Sequence, residues 1–225
     1  FCKILLLLQQ LLYFIQKCIK INYKFEEDSM THTFAIYVTQ KIMTLFPLEA
    51  SNYDIYIYAF EKIFSQISIY IILITWAIIS HTTIHMITYI SFLVLLRGQT
   101  SGYHSNTPIG CFVLSFLISN ACIWCSKLLF KYFPWMIFPF LVLASTYIFF
   151  TAPVNHILLN LSLHELKMHQ ISSRRILICE LFLTGIFYLF HFTRPLCVTS
   201  SFAIITVAIF MVLSKILKQE VKYYD

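Results

Sequence analysis

Residues 67–96 read Ile-Ser-Ile-Tyr-Ile-Ile-Leu-Ile-Thr-Trp-Ala-Ile-Ile-Ser-His-Thr-Thr-Ile-His-Met-Ile-Thr-Tyr-Ile-Ser-Phe-Leu-Val-Leu-Leu and contain no Asp, Glu, Lys or Arg. Two apolar runs, 67–79 and 84–96, flank the short polar link 80–83. A helix needs about 20 apolar residues to cross a bilayer, so each run requires its flanking aromatic residues to do so. The pattern predicts a helical hairpin in a membrane.

The composition extends this prediction to the whole chain. Apolar residues make up 59% of the 225 residues and charged residues only 12%, whereas soluble domains carry about a quarter charged residues. The net charge of +6 favours anionic lipid or an acidic peptide as partner, and nucleic acid is the least favoured partner at this hydropathy. Seven cysteines, mostly inside apolar runs, argue against a disulfide framework.

Six apolar runs predict an all-α, polytopic helical bundle with about six transmembrane helices. The alternative is four spans plus re-entrant or interfacial helices. Residues 34–46 and 53–64 are predicted to form N-terminal interfacial helices. Residues 1–29 fit an upstream extension or a disordered or interfacial segment, since Met30 suits a native start, and 30–225 is predicted to be a single membrane domain. The predicted spans are 67–79, 84–96, 109–126, 133–150, 176–192 and 196–213.

The distribution of Lys and Arg predicts the orientation of these spans. With six spans, thirteen of these cations share one side with both termini and the loops 97–108 and 151–175, against three on the other side. Cytoplasmic loops carry the excess of Lys and Arg. The loop that contains His104 and both termini are therefore expected in the cytoplasm, with the protein in the plasma membrane.

One polar interruption, residues 97–111, carries the reactive side chains. Thr107 followed by Pro108 is a typical helix start, with the hydroxyl as N-cap and proline at the first helical position. Cys111 is then expected in the first turn, where free N–H groups and the helix dipole favour a thiolate. His104 can act as its general base. Together they predict a catalytic dyad.

The same interruption offers three residues that could position the loop or a substrate. Arg97 is a candidate to hold the loop or a substrate carboxylate. Gly98 and Gly102 are expected to supply the backbone freedom of a tight loop.

The arrangement Arg-x4-Gly-Tyr-His-x6-Cys at 97–111, entering an apolar span, resembles the accessory gene regulator B family of membrane cysteine endopeptidases. The stretch Thr-Ala-Pro-Val-Asn at 151–155 is similar to that family's Ala-Pro-Val loop. The resemblance covers residue 30 to the C-terminus. Thr100, Ser101 and Ser105 replace the glycine or alanine that the family usually has, which bears on substrate preference more than on chemistry.

The resemblance implies cleavage of a small precursor peptide on its C-terminal side and its retention as a thioester. A precursor Cys or Ser then closes a thiolactone or lactone quorum-sensing peptide. Cys111 would be the nucleophile and His104 the base, with Arg97 and Gly102 at other positions needed for activity. No metal or other cofactor is implied.

The implied precursor has an amphipathic, membrane-binding leader and an acidic tail. Lys167, Arg174 and Arg175, in the polar segment 151–175, are candidates to bind that tail. The rival interpretation is that these cations only follow the topology rule. A homodimer is compatible with an enzyme of this size.

Several alternatives stay open. Glu180, Asn106 and Asn155 are candidates to orient the base, and Glu180 also for pairing with a neighbouring Arg. The histidines at 81 and 85 share a helix face, but a hydrogen-bonded interfacial role is favoured over a metal. The Cys-x-x-Cys pair at 122 and 125 is expected to pack. The rival function is a small transporter or peptide exporter without proteolytic activity.

Overall fold

A computed structural model describes residues 30–45, 53–103, 108–155 and 162–218. Every regular element in these ranges is helical, and they contain no strand. The chain divides into two compact units, 1–71 and 72–225. The all-α prediction is therefore confirmed for the described residues.

Seven α-helices follow one another along the described chain. Pro108, Pro134 and Pro195 each stand at or next to a helix start, where the missing N–H costs nothing. The helices are α1 (Met30–Leu45), α2 (Tyr53–Ile79), α3 (Thr83–Thr100), α4 (Pro108–Tyr132), α5 (Ile137–Thr151), α6 (Leu163–Leu189) and α7 (Arg194–Ile216), with a 3₁₀ turn at Pro134–Met136 before α5.

The first unit contains α1 and the start of α2. Ala35 and Thr39, one turn apart on α1, are buried. The Phe34 ring meets the Phe64 ring edge-on at 4.7 Å between centroids. This unit thus has a small apolar contact of its own.

Helix α7 is the centre of the second unit. It packs against α3, α4, α5 and α6, and 67% of its most apolar stretch is buried, against 17% of that of α4. Its buried face includes Ser200, Ala203, Val207 and Ala208. Small side chains let membrane helices approach closely, so α7 can contact four neighbours at once.

Three of the described helices are long and apolar enough to cross a membrane: Phe112–Tyr132, Pro134–Thr151 and Arg194–Ile216. Each of the six predicted apolar runs falls mainly on a helix, although the run 133–150 begins before α5 and the run 176–192 extends three residues beyond α6; the count of six spans stays a prediction. Large apolar side chains on α4 and α5 face outward, among them Leu117, Leu128, Val142 and Leu143. Such exposure suits a lipid environment.

The segment 151–175, expected to be a polar loop, is partly helical. Helix α6 begins at Leu163, and its start carries a capping box in which Glu165 reaches back to the Ser162 N–H at 3.0 Å. That reciprocal cap satisfies exposed donors of the first turn and stabilises the helix start. The predicted tail-binding cations therefore lie on a helix.

Candidate functional site

Arg97 connects the end of α3 to the chain that follows it. Its guanidinium Nη2 donates a hydrogen bond to the carbonyl oxygen of Tyr103. The same guanidinium lies over the Phe210 ring of α7, with Cζ 4.5 Å from the ring centroid. Arg97 was predicted to hold either the loop or a substrate carboxylate. In the structure it contacts the backbone of the loop.

Gly102 lies directly against α7. Its φ is +136°, a region that L side chains rarely adopt. A Cβ at this position would lie 3.3 Å from the carbonyl carbon of Phe210 and 3.4 Å from its oxygen and Cβ. The next residue, Tyr103, donates its N–H to the Phe210 carbonyl oxygen at 3.0 Å. Gly102 thus permits a close approach of two backbones.

The prediction for Gly98 is wrong. Gly98 lies inside α3 and a Cβ there would meet nothing within 4 Å. The helix runs on to Thr100, and the turn starts at Ser101, whose φ is +59°. The Ser101 N–H caps the helix by bonding the Arg97 carbonyl oxygen at 3.0 Å, so α3 extends four residues beyond the predicted run 84–96.

The dyad itself is only partly described. The prediction that Pro108 opens a helix and that Cys111 lies in its first turn is confirmed for the backbone, since α4 starts at Pro108. His104, Asn106 and Thr107 lie outside the described residues, as does the side chain of Cys111. The dyad therefore stays a prediction.

The Ala-Pro-Val segment packs next to the same turn. The Val154 N–H donates to the Thr100 carbonyl oxygen at 3.0 Å. Ala152, Val154 and Asn155 are all buried. The two stretches singled out in the sequence, 97–111 and 151–155, thus meet in space although about 50 residues separate them.

The three predicted tail-binding cations differ in their surroundings. Lys167 and Arg175 are exposed on α6. Arg174 is half-buried: its Nε donates to the Phe149 carbonyl oxygen at 3.0 Å and its guanidinium lies 4.7 Å from that ring's centroid. Lys167 and Arg175 therefore present charge to the surroundings, whereas part of Arg174 is engaged by α5.

His169 ties α6 to the end of α3. Its Nδ1 lies 2.9 Å from the Gln99 amide oxygen, which requires the ring nitrogen to donate. Partial burial removes water from the imidazole and lowers the pKa of His169 below its ordinary value of 6.5. A protonated ring is disfavoured there.

Glu180 is an enclosed carboxyl group on α6. It is 2% exposed, and neither oxygen has a hydrogen-bond partner in the described part of the chain. Arg174, one of its predicted partners, instead contacts Phe149. The role of Glu180, Asn106 or Asn155 in orienting His104 stays a prediction because His104 is not described.

Helix α7 also supplies hydroxyl groups that sequence reasoning missed. Thr199 lies 2.8 Å from His85 Nδ1 and 3.2 Å from Ser126 Oγ. About two turns further on, Thr206 accepts from the Tyr89 hydroxyl at 3.2 Å and lies 3.5 Å from Cys122 Sγ.

Thr199 and Thr206 thus contact His85 and Cys122, which belong to the His and Cys pairs singled out in the sequence. His85 is hydrogen-bonded to a helix neighbour, and among the described residues no cluster of three metal-ligating side chains occurs. Phe210 was missed as well, because a Phe inside an apolar run carries no local signal of a contact 107 positions away.

The composition, the apolar helices and the bundle define a helical integral membrane protein. The model of the accessory gene regulator B family matches residues 32–219, and the chain belongs to this family. No curated protein and no solved structure gave a match. Family membership gives the protein a role in processing a quorum-sensing peptide precursor at the membrane.

Proposed function

We propose that this protein is a membrane cysteine endopeptidase that cuts a small precursor peptide on its C-terminal side and promotes its cyclisation. The observation that supports this most is the helix start at Pro108, which puts the Cys111 backbone in the first turn of α4. Free N–H groups in that turn favour a thiolate and can stabilise the oxyanion of acyl transfer. The family match agrees with this assignment.

The proposed reaction has two acyl transfers. His104 takes the thiol proton of Cys111, the thiolate attacks the scissile carbonyl carbon, and the same proton passes to the leaving amine. The N-terminal part of the precursor is then held as a thioester. His104 takes the proton of a precursor thiol or hydroxyl, which attacks this thioester; the ring closes, the Cys111 thiolate leaves, and it takes the proton back from His104. Because a thioester is a more reactive acyl donor than an amide, and ring closure exchanges it for another thioester or an ester, the ring-closing step uses no ATP.

We propose that the acidic precursor tail binds along α6. Lys167, Arg174 and Arg175 supply the positive charge, and the exposed Lys167 and Arg175 contribute most because Arg174 already contacts Phe149. Exposed charges attract over about one Debye length, roughly 8 Å at physiological salt. Lys167→Glu combined with Arg175→Glu should raise KM for the precursor several-fold, and the rise should shrink at high salt. Lys131→Glu, which alters an exposed cation of α4, is the matched control; an equal effect there would contradict a specific site.

The dyad is tested by co-expression with a candidate precursor peptide that has an amphipathic leader, a Cys or Ser and an acidic tail. Cys111→Ala and His104→Ala should abolish cleavage while both variants still insert into the membrane. Cys125→Ala, which replaces an exposed cysteine of the same helix, should retain cleavage. Mass spectrometry reads the shortened chain, the loss of water in the ring and the thioester adduct on the enzyme. Release of the C-terminal fragment by Cys111→Ala would refute the peptidase, and export of an intact precursor would indicate the transporter instead.

We also propose that the 97–108 loop and both termini face the cytoplasm of a bacterial cell. The excess of Lys and Arg on that side supports this orientation. Reporter fusions after residues 103 and 218 should be active only with a cytoplasmic reporter, and one after Lys131 only with an external one. The opposite pattern would show that the topology is inverted and would contradict the proposed cytoplasmic active site.

A further inference from the structure

We propose that Phe210 is a positioning residue for the proposed catalytic base, through the two peptide groups that lead into His104. This inference rests on the proposed function, since it assigns a task to α7 in the same reaction. Phe210 is 4% exposed and lies in the C-terminal third of α7, far from the proposed reactive residues in sequence. It nevertheless contacts Arg97, Gly102 and Tyr103.

The first contact is through the Phe210 backbone. Its carbonyl oxygen accepts the Tyr103 N–H at 3.0 Å. A carbonyl oxygen has two lone pairs, so this bond can be made in addition to the bond inside the helix. The N–H belongs to the peptide group between Gly102 and Tyr103, so a rigid helix determines the orientation of that plane.

The second contact is through the Phe210 ring. The Arg97 guanidinium lies 4.5 Å from the ring centroid and donates to the Tyr103 carbonyl oxygen. That oxygen belongs to the peptide group that joins Tyr103 to His104. A planar guanidinium stacked on an aromatic face loses little freedom when it makes its hydrogen bonds. The ring therefore orients Arg97, and Arg97 orients the peptide group that ends at His104.

Gly102 makes this arrangement sterically possible. The backbones of Gly102 and Phe210 come so close that a Cβ would meet the Phe210 carbonyl carbon at 3.3 Å. Phe210 thus orients two successive peptide groups. Its carbonyl oxygen orients the group between Gly102 and Tyr103, and its ring, through Arg97, orients the group after Tyr103. Because α7 also packs against α4, which carries Cys111, the same helix gives the base and the nucleophile a common support.

If Phe210 served in packing alone, replacing it would have the same effect as replacing another equally buried Phe. Phe92 therefore provides the matched control. Phe92 is 6% exposed, is a buried apolar residue like Phe210, and its ring lies tilted against that of Phe187, with 6.2 Å between centroids. Phe92→Leu and Phe210→Leu remove equivalent apolar volume from equally buried sites. Only the second removes a ring from beneath Arg97.

The experiment measures kcat and KM for precursor cleavage by purified full-length protein in lipid nanodiscs. A misplacement of about 1 Å can cost roughly 100-fold in rate, so Phe210→Leu should lower kcat about 10- to 100-fold with KM nearly unchanged. Phe92→Leu should stay within about threefold of the wild type in kcat. Phe210→Met, which fills the site with a flexible side chain, serves as the second variant if Phe210→Leu does not fold, and should lower kcat in the same way.

A second readout separates positioning from stability. Iodoacetamide labelling of Cys111, measured on its own peptide by mass spectrometry across pH 5–10, reports the ionisation of the thiol. Phe210→Leu should shift this profile toward that of His104→Ala, and Phe92→Leu should leave it unchanged. If Phe210→Leu matched Phe92→Leu in kcat and in labelling while Cys111→Ala stayed inactive, this inference alone would be overturned. Cleavage by Cys111→Ala would instead overturn the proposed function.

Discussion

Replacing Gly102 with Ala adds one methyl group at the point where the turn after α3 touches α7. At φ +136° an L residue occupies a region open almost only to glycine, at a cost of about 1–3 kcal/mol. The new Cβ would also lie 3.3–3.4 Å from three backbone or Cβ atoms of Phe210. Those atoms belong to a packed helix and can move only with it.

Two responses compete, and their free energies decide between them. Keeping the native turn costs the strain of about 1–3 kcal/mol plus the tight contact. Releasing the turn from α7 loses the hydrogen bond from the Tyr103 N–H to Phe210, worth about 0.5–1.5 kcal/mol net. Release is therefore the less costly response, and we expect the turn to detach while the bundle stays folded. Global stability should fall by no more than about 2 kcal/mol, and peptidase activity should fall about 100-fold or more.

The assay compares precursor cleavage with thermal unfolding of the detergent-solubilised protein. Gly98→Ala and Gly185→Ala are matched controls, because each adds a methyl group to a helix where nothing lies within 4 Å. Alanine is favoured over glycine in helices by about 0.5–1 kcal/mol, so both controls should be as stable as the wild type or slightly more so, and active. A Gly102→Ala protein with wild-type activity would refute the close contact between Gly102 and Phe210.

Three further expectations follow from the described contacts. Arg97→Lys should lower kcat about tenfold, because an ammonium cannot stack on Phe210 as a planar guanidinium does; full activity would show that only the charge is needed. Glu180→Met should raise the melting temperature, because it removes a buried group whose missing partners cost about 1–3 kcal/mol; a lower melting temperature would indicate a partner for the carboxyl group. Folding lowers the pKa of His169 below its ordinary value of 6.5. The neutral ring therefore contributes stability above pH 6.5, and this contribution is lost as the pH falls through the lowered pKa. Melting temperatures at pH 7.5 and 5.0 should differ less in His169→Gln than in the wild type, and an equal difference would contradict the burial of this ring.

The helices were readable from the sequence to different degrees. The start of α4 at Pro108 followed from Thr107-Pro108, because capping and proline preferences act within one turn. The start of α6 at Leu163 was missed, although Ser162 and Glu165 have capping-box spacing, since the surrounding polar residues suggested a loop. Gly98 was assigned to the turn because glycine favours turns, yet α3 continues through it.

Sequence alone indicated that the chain is helical and membrane-embedded, and it predicted that one polar interruption carries the reactive residues. These properties depend on apolar composition and on neighbours within a few positions, which a sequence displays directly. Only the tertiary structure decided what supports that interruption: α7 at the centre of the second unit, Phe210 against Gly102 and Tyr103, and Val154 bonded to Thr100. Such contacts join residues about 50 to 110 positions apart. They arise from how helices pack, and a Phe or a Val inside an apolar run does not reveal which backbone it will meet.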